Sequence, residues 1–307
     1  GKQKVRFQYF EDCYKETAFL AEDIRQTVQN GVPLSEIAVL FRTNMQPRAL
    51  MEYMVSANLA FQTKDRIPDI YEHWIARDFF TYIRIAQGSD SRADFLSIMN
   101  RPKRYIGRDS LPDETVCFDE RMKLYEEQPG IAERIEKLWY DLKHLSRLSP
   151  YAAINYIRRG IGYDDYLAEY AEYLNANKVD CYEVADEILA SAKGYRTFEE
   201  WFAHKEEYRQ ELKKLAQEKR RNQNAVKFAT LHSAKGLEFT KVYLIDVNEG
   251  VLPYMKAVLK QDIEEERRLF YVGMTRAKES LTICSVKKMR GKEVELSRFI
   301  KEAGKEP

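Results

Sequence analysis

Five consecutive apolar residues, Ile37-Ala38-Val39-Leu40-Phe41, stand between polar segments. A strand with one wet face alternates polar and apolar, whereas a short unbroken run fits a strand buried on both faces. Such strands belong to parallel sheets, whose crossover connections place helices over both faces. The flanking sequence agrees. Val5 to Phe10 alternates with a period of two, as a half-buried strand does. Glu16 to Val28 places Ala18, Leu20, Ala21, Ile24 and Val28 on one helical side, and Asn30-Gly31 reads as the stop. Pro47 opens a further helix that runs to Ala57. Strand, helix, strand, helix through residue 70 predicts an α/β domain with a parallel sheet and right-handed crossovers.

The texture then changes. Residues 71–224 hold 14 of the 20 tyrosines and hardly any strand-like run, which predicts an all-α segment with an aromatic interior. Helical spacing covers Trp74 to Ala86, Ala93 to Met99, Ile131 to Leu145, Tyr151 to Arg159, Val179 to Ala192 and Phe198 to Lys219. Its tail carries Lys213, Lys214, Lys219, Arg220 and Arg221 against Glu218, a pattern of a solvated hinge. Residues 225–307 return to α/β texture. Strands are expected at Val226 to Leu231, Val242 to Val247 and Leu281 to Cys284, a helix at Glu264 to Ala277, and a short last helix capped by Ser297. Segments 1–70 and 225–307 therefore form one α/β domain, interrupted by an all-α insertion at 71–224.

Composition narrows the function. Lys plus Arg is 50 and Asp plus Glu is 49, so any basic surface must be local. No apolar run approaches the roughly 20 residues of a membrane helix. Cys13, Cys117, Cys181 and Cys284 lie far apart, without a CxxC pair or Cys/His cluster. They predict no metal site and a reduced, cytoplasmic setting. Gly1 at the start reads as a cloning scar or the edge of an excised piece. No GxxxxGK[ST] phosphate loop occurs. No Asp-Glu pair follows a buried strand: Asp186-Glu187 falls in a helical stretch and Asp113-Glu114 in a turn. A Mg-nucleotide centre cannot be assembled from this chain alone.

Two segments carry chemistry. Thr230-Leu231-His232-Ser233-Ala234-Lys235-Gly236-Leu237-Glu238-Phe239 joins two strands, and loops at strand ends are where α/β sheets place ligands. Gly236 permits positive φ or close approach, and His232 and Lys235 are placed to face phosphates. A loop histidine is also commonly structural. The second segment, Glu264 to Lys278, starts acidic, continues through the apolar block Leu269 to Val272, and reaches Arg276 near its end. An arginine held on a buried helix presents a rigid fork to a phosphate.

These two segments resemble motifs V and VI of superfamily 1 DNA helicases of the UvrD/PcrA/Rep type, at the right spacing. Ile37 to Arg48 resembles motif IVa, Asn100 to Gly107 the duplex-contacting Gly-Ile-Gly segment, and Ser297-Arg298-Phe299 the usual end of the core. The resemblance implies a second RecA-like domain with its helical insertion, the pair called 2A and 2B. The first RecA-like domain, with the phosphate loop, would lie outside this sequence. ATP and Mg2+ would be held mainly by that domain, and none is expected on this chain alone. Arg276 occupies the position of the arginine finger, Glu238 that of the ribose contact, and Gly236 that of the glycine beside it. Thr230 and His232 match the single-stranded DNA contacts of motif V, and Arg42, Thr43 and Asn44 those of motif IVa. Thr43 as loop cap and Arg42 as a surface ion pair are the plainer readings. Lys235 matches either a DNA phosphate contact or a salt bridge joining motifs V and VI.

In the insertion, Lys103, Arg104 and Gly107 match the duplex-contacting segment. The family's Arg-Gly-Ile-Gly is here Arg104-Tyr105-Ile106-Gly107, and Tyr105 takes positive φ less cheaply than glycine. The implied partners are single-stranded DNA, single/double-strand junctions and the N-terminal RecA-like half. The implied activity is ATP-driven 3′-to-5′ translocation in the cytoplasm, at the nucleoid, with the isolated piece inactive. Two alternatives stay open: a non-catalytic DNA-binding or protein-interaction module, and the helicase part of an AddA/RecB-type helicase–nuclease.

Overall fold

The computed structural model of the 307-residue chain describes residues 4–65, 69–174, 178–218 and 224–304. In chain order the elements begin with β1 (Lys4–Asp12), α1 (Cys13–Gln29), β2 (Ile37–Phe41), α2 (Arg48–Ser56) and β3 (Phe61–Thr63). Eight helices follow: α3 (Trp74–Ala86), α4 (Arg92–Ile98), α5 (Phe118–Leu124), α6 (Pro129–Leu145), α7 (Pro150–Arg159), α8 (Tyr163–Tyr173), α9 (Lys178–Ser191) and α10 (Phe198–Glu218). The chain closes with β4 (Val226–Thr230), β5 (Phe239–Leu244), α11 (Lys260–Met274), β6 (Ala277–Met289), β7 (Lys292–Glu293) and α12 (Arg298–Glu302). By its contacts the chain divides into two compact units, Gly1–Pro68 with Glu207–Pro307, and Asp69–Glu206. Of the basic hinge, Lys219, Arg220 and Arg221 lie outside the described residues.

The first unit is built on one sheet of order β1-β6-β5-β2-β4-β3, with β7 folded back antiparallel on β6. All the other pairings are parallel. The apolar run of β2 sits inside this sheet, with Val39 opposite Tyr243 on one side and Phe228 on the other. All five of its residues are buried. Successive side chains point to opposite faces. Ala38 and Leu40 therefore join Leu231, Leu244, Ile283, Phe270 and Phe299 in one core. Ile37, Val39 and Phe41 join Leu20, Ile24, Met51 and Met54 in the other.

Several boundaries differ from expectation. Asp12 ends β1 and caps α1 at once, its carboxylate accepting the amides of Tyr14 and Lys15, both at 3.0 Å. β3 has only three residues, too few to show a period. β5 is displaced toward the N-terminus because Asp246, at φ +52°, turns the chain. The helix expected to reach Ala277 ends at Met274, and Ala277 already opens β6.

The helical unit has the expected aromatic interior, centred on Trp201, Tyr82, Phe79 and Tyr163. Two of its buried tyrosines carry their hydroxyls to partners, as burial favours. Tyr163 donates to Asp78 at 2.6 Å and Tyr82 to the Arg101 carbonyl at 2.6 Å. Burial raises the Asp78 carboxyl, although Tyr163 and Arg101 hold it back.

A second buried acid lies in the sheet unit. Glu16 and Asp246 are 3 % and 5 % exposed, and the Asp246 amide donates to Glu16 at 3.3 Å. Burial, and then the charge of Asp246, push the Glu16 carboxyl well up from 4.5. The folded chain thus keeps a proton that the unfolded chain releases first. This group's contribution to stability is full below about pH 4.5 and declines as pH rises toward the folded value. Glu16→Gln should melt at a higher temperature than the parent at pH 7, with the gap closing toward pH 4. Thermal melts across that range check it; a gap that widens on acidification would refute the assignment.

Candidate functional site

The carboxyl ends of β2 and β4 lie on one edge of the sheet, the amino ends of β5 and β6 on the opposite edge, because all four strands run parallel. The residues singled out from sequence divide between these edges.

On the first edge, Gln46 organises the turn after β2. Its Oε1 accepts the amides of Arg42 (2.8 Å) and Thr43 (2.7 Å). Its Nε2 donates to the Ile245 carbonyl (3.4 Å) and Asp246 (3.3 Å), which ties the turn to the buried acid pair. The Arg42 guanidinium meets Glu266 of α11 as a two-pronged pair, with Nε 3.1 and 3.0 Å and Nη2 2.8 Å from its oxygens. It also lies over the Tyr254 ring at 5.0 Å. The two side chains are only 18 % and 9 % exposed, so Arg42 is an internal ion pair rather than a free surface cation. Glu266 further accepts the Tyr254 amide at 3.0 Å. Thr43 and Asn44 are half-buried, and Asn44 Oδ1 is buried without a hydrogen-bond partner.

Thr230 ends β4 and donates its amide to Asp65 at 2.7 Å, while its hydroxyl accepts from the Ser233 amide at 3.2 Å. The Ser233 hydroxyl also donates to Asp65, and Lys64 reaches the Ser233 carbonyl at 2.7 Å. Burial opposes the Asp65 charge, yet Ser233 and Thr230 hold its carboxyl below the usual range. His232 stands exposed beyond this turn. Asp65 and Glu266 were not singled out from sequence; their partners are 165 and 224 residues away in the chain, and no local spacing signals such pairs.

Residues 231–238 then cross to the second edge and deliver Gly236, at φ +80°, and the exposed Glu238. Arg276 comes to meet them from the turn after α11. Its Nη1 donates to the Leu237 carbonyl, Nε to the Val272 carbonyl and Nη2 to the Thr275 hydroxyl, each at 2.9 Å. Three of the five N–H donors are thus used on neutral acceptors. Among the described residues no carboxylate pairs with Arg276, so its charge is uncompensated. Lys235 is exposed and likewise forms no ion pair among the described residues; the expected alternative of a salt bridge joining motifs V and VI is not formed. Gly273 lets α11 press onto this segment: a Cβ there would come 2.5 Å from Leu231 Cδ2. The same edge bears a cleft of about 620 Å³ lined by Lys4, Arg6, Asn30, Lys241 and Lys278. Lys241 is paired with Asp23 and Lys278 with Glu36, both at 2.6 Å.

In the helical unit, the expected phosphate contact of Arg104 is corrected. Its side chain is turned inward, the residue only 6 % exposed. The guanidinium donates to the carbonyls of Ile98 (3.2 Å), Met99 (3.1 Å) and Pro102 (3.2 Å) and to the Tyr82 hydroxyl (3.0 Å). Lys103 and Gly107 stay exposed, and the Gly107 amide donates to the Tyr125 hydroxyl at 2.9 Å. Tyr105 adopts φ +61° despite its side chain.

Among the described residues no group of His, Cys, Asp and Glu is arranged to hold a metal, and no helix is long and apolar enough to cross a membrane. The residues of the second edge fit one flank of a nucleotide, a cation for phosphate and an exposed carboxylate for a sugar hydroxyl, but no phosphate cradle.

Residues 1–126 and 141–288 match the family of the UvrD-like helicase C-terminal domain. The chain belongs to that family. The parallel sheet described above is accordingly RecA-like. The chain is 28 % identical to the ATP-dependent DNA helicase PcrA of Bacillus subtilis, over 92 % of this chain and 41 % of that protein. It is 27 % identical to the ATP-dependent DNA helicase Rep of Salmonella typhimurium, over 89 % of this chain and 44 % of that protein. A PcrA of Staphylococcus epidermidis is 27 % identical, over 97 % of this chain and 44 % of that protein. The UvrD-like chain thus spans about two fifths of the length of these relatives.

Proposed function

We propose that this chain is the C-terminal part of an ATP-dependent DNA helicase that translocates 3′ to 5′ on single-stranded DNA. Arg276 carries this reading: a half-buried arginine, fixed by two carbonyls, whose charge no carboxylate among the described residues cancels. Such a fork is suited to the charge that develops on a γ-phosphate bound by a partner domain. Bound Mg2+ would add charge neutralisation on the nucleotide, held by that partner domain. Glu238 would accept from the ribose. On the opposite edge, Thr43, Asn44, Thr230 and His232 would grip the strand, the orphaned Asn44 Oδ1 awaiting a donor.

α11 links the two edges. Glu266 near its middle holds Arg42, and Arg276 follows its end ten residues on, about 15 Å along a helix. Drawing Arg276 onto phosphate would pull on the helix that also steadies the strand grip. The insertion, with Lys103 and Gly107, would meet the duplex ahead.

The test is ATP hydrolysis with single-stranded DNA, by the 307-residue chain alone and by the chain joined to an N-terminal RecA-like half. Hydrolysis only in the joined protein is expected. Hydrolysis by the chain alone, or by neither form, would overturn the reading. If both are inert while DNA still binds, the binding-module alternative replaces it.

A further inference from the structure

The turn from Asn100 to Gly107 is held from within at nearly every residue. Asn100 Oδ1 accepts the amides of Arg104 (3.2 Å) and Ile106 (3.1 Å), and its Nδ2 donates to the Ile106 carbonyl (2.9 Å). Arg104 donates to the Pro102 carbonyl within the turn and to the Ile98 and Met99 carbonyls and the Tyr82 hydroxyl behind it, and Ile106 is buried. Tyr105, by contrast, points outward, 55 % exposed, as does Lys103 beside it.

Its φ of +61° is a conformation that strains any residue with a Cβ and costs glycine nothing. Among the described residues no other ring packs on it, so the ring adds nothing to the core that would offset the strain. What surrounds it is charge. Lys103 Nζ lies 4.8 Å from the ring centroid and the Arg134 guanidinium 5.0 Å. Strain of this kind, kept at an exposed position by a rigid frame, points to a use outside the fold.

We propose that Tyr105 is a stacking platform for the exposed face of a nucleobase, with Lys103 and Arg134 turning to the phosphates of the same strand. This rests on the DNA-binding reading above. It adds to it a ring contact that a glycine here could not make. The chemistry is direct: any base offers a flat π-face, and flanking cations select a polyanion over a neutral peptide. The frame makes the ring rigid, so little ordering is lost on binding. An incoming base displaces one cation from the ring, and that cation is freed beside the nucleotide's own phosphate.

The test uses the 307-residue chain and three DNAs: a single strand, a blunt duplex, and a duplex with a 3′ tail. Each carries 2-aminopurine at a terminal or junction position. Tyr105→Phe keeps the ring. Tyr105→Gly removes it and relaxes the backbone, so the fold should survive, as a thermal melt will show. Tyr105→Phe should bind and quench like the parent. Tyr105→Gly should lose affinity by roughly 5- to 100-fold, together with the stacking quench, on whichever DNA offers the base face. Loss on the single strand and tailed duplex identifies an unpaired base; loss on the blunt duplex as well identifies a terminal pair. Equal affinity and quench for Tyr105→Gly and parent on all three DNAs would overturn the proposal alone. Failure of the parent to bind any of them would overturn the DNA-binding reading with it.

Discussion

Arg276→Ala, in the chain joined to its N-terminal half, should lower DNA-stimulated ATP hydrolysis by about 10³- to 10⁵-fold, the usual contribution of an arginine finger. The fall should lie in kcat, because the charge matters most where phosphoryl charge develops. A structural role has a different signature. Arg276 also ties the Leu237 and Val272 carbonyls, so its loss could loosen motif V. Those bonds involve a half-exposed side chain and are worth on the order of 1–3 kcal/mol together. Single-stranded DNA affinity should therefore move little, and the melting temperature should fall by only about 2–10 °C. Arg276→Lys should not restore the rate, because an ammonium cannot span both carbonyls and a phosphate as a planar fork can. A rate within tenfold of the parent for Arg276→Ala would exclude the finger.

Glu266→Ala should be the most damaging single change to stability near the strand edge, by about 2–4 kcal/mol. Arg42 would be left 18 % exposed, without its carboxylate and with only the Tyr254 ring beside it. Arg42→Ala should cost less, since Glu266 still accepts the Tyr254 amide. The double variant should be little worse than Glu266→Ala, because removing both charges leaves no buried orphan. Denaturant titration of the four proteins reads this coupling directly; additive losses would show that the pair contributes nothing as a pair. Because Glu266 lies in α11 and Arg276 just past its end, the same set assayed for ATP hydrolysis reports whether the strand edge influences the finger.

Much of the fold was legible in the residues themselves. The apolar run of β2 announced a doubly covered parallel strand, since burial on two faces leaves no position for a polar side chain. The helical insertion was legible from its period, and the absent phosphate loop from its missing glycines. The family was legible because its motifs set particular residue types in fixed order along the chain. Helix ends were less so: Thr275 and Arg276 continue a helical pattern, and their side chains, both turning back to the Val272 carbonyl, accompany the exit. β3, at three residues, is formed by pairing with β4, which arrives more than 160 residues later.

The surroundings of individual cations were set by tertiary structure alone. Arg42, Arg104 and Arg276 are alike in sequence terms, each a basic residue in a motif. Folding pairs the first with Glu266, buries the second on carbonyls, and gives the third no carboxylate partner among the described residues. Tyr105 shows the same division: its sequence predicts a costly left-handed turn, and the Asn100 clamp makes the chain adopt it. Local sequence sets periodicity, breakers and motif chemistry because these act over a few residues. Whether a charge is free depends on which distant side chains the sheet brings beside it, and that is a property of the folded chain.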